Sequence, residues 1–438
     1  MVRAKPYAAE PLKLSPSVGA ALAFSGVARA APLLIGAQGC AAVAGSLLAR
    51  HFRRAFPLPC VAMNEMSVAL GGHGEVEKAV AQAEREDIHL IGLIAGGVND
   101  ARGDDLSGLL KDLRSKDGHA ELVAVSTPDF SGSLQDGWAR AVESLIAFFA
   151  RAGERVNDQV ALLPGCHLTA ADAEFLRELC LSFGLKPVLL PDISGALDRA
   201  GETGGFSAAS LADLREIGRS GAVIGLGAHM RKASLALAEI CRVEARIFDA
   251  PFGLWATDRL VETLAALSGC KPLDKLCRER DRLIDAMANA SETFLRRRIA
   301  LAGEADMVFA LSTLCAEWGF ETGAAIIAAP ARKAEAPQFI VGDFEDLEGA
   351  AVDSDLIAAP SGARHVAARL GIPLWRRGIP ITDRIDAPFA LQIGYSGARA
   401  MLFETAALLS DQSPATGGSP APCFGRAQGH LDSSFNDR

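Results

Sequence analysis

Cys40 is the residue of this chain whose surroundings best suit metal chemistry. It closes a Gly-rich turn, Gly36-Ala-Gln-Gly-Cys40, between the apolar run Pro32–Ile35 and a second apolar segment, Ala41–His51. The run predicts a buried parallel strand, and the segment predicts a packed helix. A thiol at the start of a helix lies near backbone N–H groups that favour its thiolate, the form that binds iron. The pattern therefore makes Cys40 a candidate iron-sulfur ligand.

The alternative for Cys40 is a packed core thiol, which is the commoner role of a single cysteine. A 4Fe-4S or 2Fe-2S cluster usually takes four thiolates, and no CxxC pair occurs among the nine cysteines of the sequence. If Cys40 binds iron, the other ligands must come from elsewhere.

A second candidate pair, Cys166 and His167, follows the predicted strand Gln159–Leu163. Open α/β sheets bind ligands at this edge, beyond the carboxyl ends of their strands. The eight histidines form no HxH, HExxH or Cys-rich zinc spacing. Both roles, ligand or packed residue, therefore stay open for this pair.

Several common motifs are missing from the sequence. The Gly-rich turns lack the three-glycine dinucleotide fingerprint, no GxxxxGK[ST] phosphate loop occurs, and GxSxG is absent. Bound NAD, P-loop ATP hydrolysis and a nucleophile-elbow hydrolase are therefore not expected. If a nucleotide is needed, a partner must bring it.

The composition is that of an ordinary globular protein. The 438 residues carry a net charge of −9 without a basic block, which argues against binding to nucleic acid. No segment reaches the roughly 18 apolar residues of a membrane span, and the N-terminus has no signal-peptide profile. We expect a cytoplasmic protein with reduced thiols.

Alternating short apolar runs and amphipathic segments predict an α/β fold with parallel sheets flanked by helices. At about 150 residues per domain, the length suggests three domains. We predict three Rossmann-like domains and a mobile tail, at residues 1–155, 156–290, 291–410 and 411–438. The predicted strands are 32–35, 90–95, 121–126, 159–163, 186–190, 221–225, 244–248, 306–310, 322–328, 339–343 and 355–360. The predicted helices are 41–51, 105–116, 134–150, a helix from 170, 274–298, 311–318 and 363–370.

A series of short segments, in this order and spacing, resembles the nitrogenase component 1 superfamily over roughly residues 10 to 408. The segments are Pro11–Pro16, Gly19–Phe24, Gly36–Cys40, Arg50–Arg53, Ala69–Gly72, Arg102–Leu106, Ser126–Ser133, Val341–Leu347, Gly371–Leu374, Gly378–Arg384 and Gly394–Gly397. Within the superfamily, the chain is most similar to the beta-like subunits of the scaffold that assembles the iron-molybdenum cofactor.

Two departures separate the chain from the catalytic nitrogenase beta subunit, which by resemblance supplies three thiolates to a large bridging cluster. The first thiolate matches Cys40, but the one before Gly-Asp-Asp falls on Gly97, which cannot bind iron. The middle one lies near Cys60, about two residues out of register. The resemblance implies a smaller 4Fe-4S cluster, held by Cys40 and three cysteines of a NifE-like alpha subunit. Cys60 stays open as a packed thiol or a spare ligand.

The resemblance further implies an α2β2 heterotetramer in which the NifE-like partner holds most of the iron-molybdenum cofactor precursor. The chain would then be a scaffold subunit and not a stand-alone enzyme. Its other partners would be the nitrogenase iron protein, cofactor delivery proteins and apo-nitrogenase. The alternatives are a beta subunit of a nitrogenase or nitrogenase-like reductase, and a binding protein with periplasmic-like domains.

Overall fold

A computed structural model describes residues 11–62, 73–97, 106–115, 118–198, 206, 209–331 and 339–410. The tail predicted from Asp411 lies outside these residues, as do the segment Ala69–Gly72 and most of Arg102–Leu106. The described part of the chain contains three separate parallel sheets, each flanked by helices. The predicted fold class is thereby confirmed.

The first sheet has four strands in the order β2-β1-β3-β4. Its strands are β1 (Ala30–Gly36), β2 (Cys60–Ala62), β3 (Leu90–Ala95) and β4 (Glu121–Ser126). Its helices are α1 (Pro16–Ser25), α2 (Gln38–Phe52), α3 (His73–Arg85), α4 (Leu106–Arg114) and α5 (Leu134–Phe149). Strands β3 and β4 have the predicted bounds, because both are short apolar runs between polar turns.

The second sheet also has four strands, in the order β6-β5-β7-β8. Its strands are β5 (Val156–Pro164), β6 (Lys186–Leu189), β7 (Ser220–Leu226) and β8 (Ala245–Phe248). The helices that follow along the chain are α6 (Ala170–Ser182), α7 (Leu211–Glu216), α8 (Arg231–Cys241), α9 (Gly253–Ser268) and α10 (Asp274–Phe294). Helix α6 begins at residue 170 as predicted, and Thr169 caps it by accepting a hydrogen bond on its hydroxyl from the backbone N–H of Asp172.

The third sheet has five strands in the order β11-β10-β9-β12-β13. Its strands are β9 (Arg298–Gly303), β10 (Glu321–Ile327), β11 (Phe339–Val341), β12 (Leu356–Ala359) and β13 (Leu374–Arg376). Its helices are α11 (Ala305–Trp318), α12 (Phe344–Ala350), α13 (Arg364–Leu370) and α14 (Gly394–Ser410).

Two sequence predictions in this third region are wrong. Residues 306–310 are not a strand but the first turns of α11, a helix buried on nearly every side. A helix that is apolar all round has no polar face to reveal its period, so a short stretch of it resembles a buried strand. The helix predicted to reach Arg298 ends at Phe294, and Arg298 begins β9.

Each sheet lies within one of the three predicted domain ranges. The predicted boundary after residue 290 falls inside α10, and α14 packs back onto the second region. The Tyr395 hydroxyl donates to Asp258 of α9 at 2.7 Å, and Arg399 pairs with Glu279 of α10 at 2.6 Å. We therefore propose that the second and third domains are divided after α10 and share α14.

None of the helices in the described ranges combines the length and the apolar character that crossing a bilayer requires.

Candidate functional site

Cys40 is the third residue of α2, which begins at Gln38, three residues before the predicted start of this helix at Ala41. Strand β1 stops at Gly36, Ala37 is the N-cap, and the Cys40 backbone N–H donates to the Ala37 carbonyl at 3.1 Å. The first turn of α2 contains no acidic residue. Cys40 is exposed, so the alternative of a packed core thiol is wrong for this residue.

The far end of α2 is tied to the third region of the chain. The Ile381 backbone N–H donates to Nδ1 of His51 at 3.1 Å. Arg53 donates to the carbonyl oxygens of Thr382 at 3.1 Å and Arg384 at 2.8 Å. Burial lowers the pKa of His51 to about 4, so its ring is neutral and able to accept. These contacts fix the direction in which α2 presents Cys40.

The surface around Cys40 is apolar and concave. Val43, one turn further along α2, has 62% of its surface exposed. Beside it lies a cavity of about 400 Å³, lined by the start of the described chain, by α2 and by the third region. The lining residues are Pro11–Ser15, Val18, Gly39, Cys40, Val43, Ala44, Leu47, Phe344, Pro360, Gly362, Pro380 and Thr382. An exposed apolar cavity that a thiol borders is typical of a surface that another chain covers.

Cys60 and Gly97 lie on the neighbouring strands of the same sheet. Cys60 starts β2 opposite Leu34, is half-buried, and donates its thiol to the Gly36 carbonyl at 3.6 Å. Burial raises the pKa of Cys60, and nearby Cys40 adds to the rise. Gly97 follows β3, and a Cβ at this position would lie 2.9 Å from a carboxylate oxygen of Asp129. The structure thus places these three positions at one edge of the first sheet, with Cys40 the exposed thiol.

The other described cysteines divide into two groups. Cys166, Cys180, Cys241 and Cys315 are buried, and burial raises the pKa of each thiol, to about 12 for Cys180. A thiol with a raised pKa stays protonated and is a poor iron ligand. Cys270 and Cys277 are exposed and lie at the end of α9 and in α10.

His167 lies where the sequence predicted, just beyond the carboxyl end of β5. Its ring is next to that of His229, with 5.9 Å between ring centroids, and His229 contacts Asp306. The sequence predictions missed His229 and Asp306, although each follows the carboxyl end of a parallel strand, β7 or β9. Had β9 been predicted, Asp306 would have been recognised as a residue that follows a strand, like His167 and His229.

The profile of the family "Nitrogenase component 1 type Oxidoreductase" matches residues 15–410 of the chain. The chain is similar to several relatives named nitrogenase iron-molybdenum cofactor biosynthesis protein NifN. The relative from Mesorhizobium japonicum is 38% identical over 417 residues, which cover 92% of this chain and 91% of the relative. The relative from Nostoc is 36% identical, covering 94% and 95% of the two chains. The relative from Klebsiella pneumoniae is 32% identical, covering 93% and 92%.

A solved structure described as nitrogenase Cp1 at pH 6.5 has the same fold. It matches with a TM-score of 0.87 at 24% identity, covering 94% of this chain and 95% of the other.

Proposed function

Because this chain belongs to the nitrogenase component 1 type oxidoreductase family, we propose that it is a scaffold subunit for biosynthesis of the nitrogenase iron-molybdenum cofactor. The observation that carries the proposal is the similarity, along nearly the whole chain, to relatives named for that role. The matches cover 91% and 95% of the lengths of two of these relatives.

The partner that we propose is a NifE-like alpha subunit, with two copies of each chain in an α2β2 heterotetramer. The apolar cavity of about 400 Å³ beside Cys40 supports this choice. Val43 and Cys40 are exposed at its rim, and apolar contacts of this kind are stable only when a second surface excludes water.

A 4Fe-4S cluster fits the residues at this surface if this chain contributes one thiolate, that of Cys40. The thiol is exposed, lies in the first turn of a helix and has an apolar surround, as a cluster ligand at a chain interface requires. Three cysteines of the partner would complete the set. Such a cluster supplies one-electron transfer, and α2 fixes the position of its thiolate through His51 and Arg53.

The alternative function, a beta subunit of a nitrogenase or nitrogenase-like reductase, is less well supported. Gly97 stands where the three-thiolate beta subunit would need a ligand, and Cys60 is half-buried with a raised pKa. The number of iron atoms distinguishes the two functions. The scaffold should hold one 4Fe-4S cluster per heterodimer besides any precursor, whereas an eight-iron cluster with substrate turnover would favour the reductase.

We also propose different roles for the two chains. The precursor would be held mainly by the NifE-like subunit, and this chain would not act as a stand-alone enzyme. The sequence has no phosphate loop, so nucleotide-driven electron delivery would come from the nitrogenase iron protein docked on the complex. Cofactor delivery proteins and apo-nitrogenase would bind transiently to bring the precursor and remove the finished cofactor.

The Cys40→Ala variant tests the cluster assignment. Co-purified with its partner, it should lose the electron paramagnetic signal of the reduced interfacial cluster and about four iron atoms per heterodimer. Two controls match it: Cys60→Ala, the neighbouring half-buried thiol, and Cys270→Ala, an exposed thiol in the second region. Both should keep signal and iron. An unchanged signal in the Cys40 variant would show that the partner holds the cluster alone.

A further inference from the structure

A second group of potential metal ligands lies far from Cys40 in the fold, where the second and third sheets meet. We propose that His167, His229 and Asp306 bind one divalent transition-metal ion of the zinc or ferrous-iron type. One ring nitrogen of each histidine and one carboxylate oxygen of Asp306 lie within 4.8 Å of one another. This proposal is independent of the function proposed for the Cys40 surface.

The topology brings the three residues together. His167 follows β5 and His229 follows β7, which are neighbours in the second sheet, and Asp306 follows β9 of the third sheet. All three thus lie beyond the carboxyl ends of parallel strands, the edge at which open α/β sheets bind ligands.

His167 is the residue that most needs a further partner. It is 4% exposed, and among the described residues neither Nδ1 nor Nε2 has a hydrogen-bond partner. A buried polar group without a partner costs about 1–3 kcal/mol. Burial also lowers the pKa of His167 to about 4, so the ring is neutral and keeps the lone pair that a metal ion needs.

Hydrogen bonds hold the Asp306 carboxylate and the His229 ring against each other, and Nε2 of His229 accepts the Cys166 backbone N–H at 3.4 Å. The Asp306 carboxylate is 2.6 Å from Nδ1 of His229 and accepts the His229 backbone N–H at 3.0 Å. Burial alone would raise the pKa of Asp306, but the adjacent His229 holds it below its usual range, so the carboxylate is charged. The Gln135 side chain fixes it further by accepting the Asp306 backbone N–H at 3.1 Å.

The charge around the cluster favours a cation. Glu304, Asp306 and Asp136 add to the rise that burial causes in the pKa of Cys166, and burial also raises the pKa of Glu304 to about 7, so this carboxyl is only partly charged at neutral pH. Three Arg and Lys side chains line the cleft: Arg231 pairs with Asp249, Lys232 pairs with Glu143, and Arg140 donates to Ser131. A buried carboxylate in such a field is stabilised by a bound cation.

An ion can reach the cluster from solvent. Asp306 and His229 line a cavity of about 690 Å³ between α5, α8 and α11. The turn beside the two histidine rings leaves space for them because it contains a glycine, Gly227. A Cβ on Gly227, which has a φ of 114°, would lie 2.7 Å from Asp306 Oδ2 and 2.8 Å from Cε1 of His167.

The donor set indicates the class of metal. Two imidazole nitrogens and one carboxylate oxygen, with a position left open, suit Zn²⁺ or Fe²⁺. In a tetrahedral shell with bonds of about 2.1 Å, ligand atoms lie about 3.4 Å apart. The cluster would therefore close slightly around the ion, and water or another ligand would take the remaining position.

Cobalt(II) titration of the metal-depleted full-length chain tests the site. Co²⁺ bound by nitrogen and oxygen gives visible d–d bands without the ultraviolet thiolate-to-metal charge transfer that cysteine sites produce. We expect one such equivalent in the unmodified chain, displaced by Zn²⁺. The variants His167→Phe, His229→Gln and Asp306→Asn should each weaken its binding by at least roughly 100-fold.

His365→Phe, which removes an exposed histidine, is the matched control and should bind Co²⁺ as the unmodified chain does. Circular dichroism checks that each variant is folded. If His167→Phe is not folded, the proposal is judged on the isosteric Asp306→Asn variant and on His229→Gln. The same d–d equivalent in those variants, or none in the unmodified chain, would overturn the proposal. Zn²⁺ should also raise the thermal midpoint of the unmodified chain but not that of Asp306→Asn.

Discussion

His51 shows how a single residue can control the site from a distance. It lies at the end of α2 opposite to Cys40, is buried, and accepts a hydrogen bond from the Ile381 backbone N–H. A protonated ring cannot accept that bond, so the link from His51 to residue 381 forms only while the ring is neutral, whereas the Arg53 contacts to the third region do not depend on it.

The chain should therefore lose stability in mild acid through His51. Its pKa falls from 6.5 in the unfolded chain to about 4 in the folded protein. A base with a depressed pKa contributes stability above pH 6.5 that is lost as the pH falls towards 4, in total about 3 kcal/mol. His51→Asn keeps an acceptor for Ile381 but does not titrate. The unfolding free energy of this variant, measured by urea denaturation, should fall less between pH 6.5 and 4.

His365→Asn, a change at an exposed histidine, serves as the control and should keep the pH dependence of the unmodified chain. If His51→Asn also keeps it, the neutral ring is not what links α2 to residue 381.

The residues of the two sites differ in how well they can be predicted from the sequence. Cys40 and His167 were found because each follows a recognisable strand and turn. His51 and Asp306 were not, since their partners are distant in the chain: residue 381 for His51 and residue 229 for Asp306. Contacts over such separations depend on how whole domains dock, which local patterns do not encode.

At the scale of elements, the crossing of α1 and α5 depends on two glycines. A Cβ on Gly19 would lie 1.8 Å from the Leu134 carbonyl oxygen, and one on Gly137 would lie 1.7 Å from that of Pro16. Both distances are far below van der Waals contact, so the two helix backbones touch where side chains are absent.

Gly19→Ala and Gly137→Ala should each destabilise the protein by about 3 kcal/mol or more, because the neighbouring backbone cannot move aside cheaply. Gly349→Ala is the matched control. It also adds a methyl group to a helix, α12, but meets nothing within 4 Å. Helix propensity predicts that this control gains up to about 1 kcal/mol. Urea denaturation measures all three, and equal effects at the three positions would contradict the close helix contact.

Element prediction succeeded where the pattern was local. The strands β3 and β4 and the start of α6 at residue 170 were predicted because apolar runs and a Thr-x-x-Asp box are complete within a few residues. Helix α1 was not predicted, since Pro16–Ser25 is almost entirely buried and lacks a polar face. The same cause made the first turns of α11, residues 306–310, resemble a strand, although the rest of this helix was predicted. Burial on all sides is a property of the folded molecule, and it removes the periodicity that sequence analysis depends on.

At the scale of the whole molecule, side chains from one region satisfy backbone groups of another. Asp172 of α6 accepts hydrogen bonds from the backbone N–H groups of Gln392 and Ile393. The Ser133 hydroxyl, before α5, donates to the Glu304 carboxylate beside α11. Such contacts between regions hold the sheets together. The surface around Cys40 and the group formed by His167, His229 and Asp306 are two different sites on the resulting structure.

The apolar surface at the start of α2 makes a prediction about assembly. Val43→Asp places a charge on a residue that is 62% exposed in the free chain but would be covered in the complex. Burying an unpaired charge costs several kcal/mol. We expect this variant to co-purify with much less NifE-like partner, and with less iron, from cells that express both chains. The thermal midpoint of the free chain should change little, because the new carboxylate faces solvent there.

Val352→Asp is the matched control, since Val352 is 64% exposed and lies just after α12, outside the lining of the Cys40 cavity. It introduces the same charge on an equally exposed valine and should leave the yield of partner and iron unchanged. Equal losses from the two variants would mean that added charge weakens the complex wherever it is placed. No loss from either would mean that the partner binds a surface other than the one bordering Cys40, and the shared cluster would then have to lie elsewhere too.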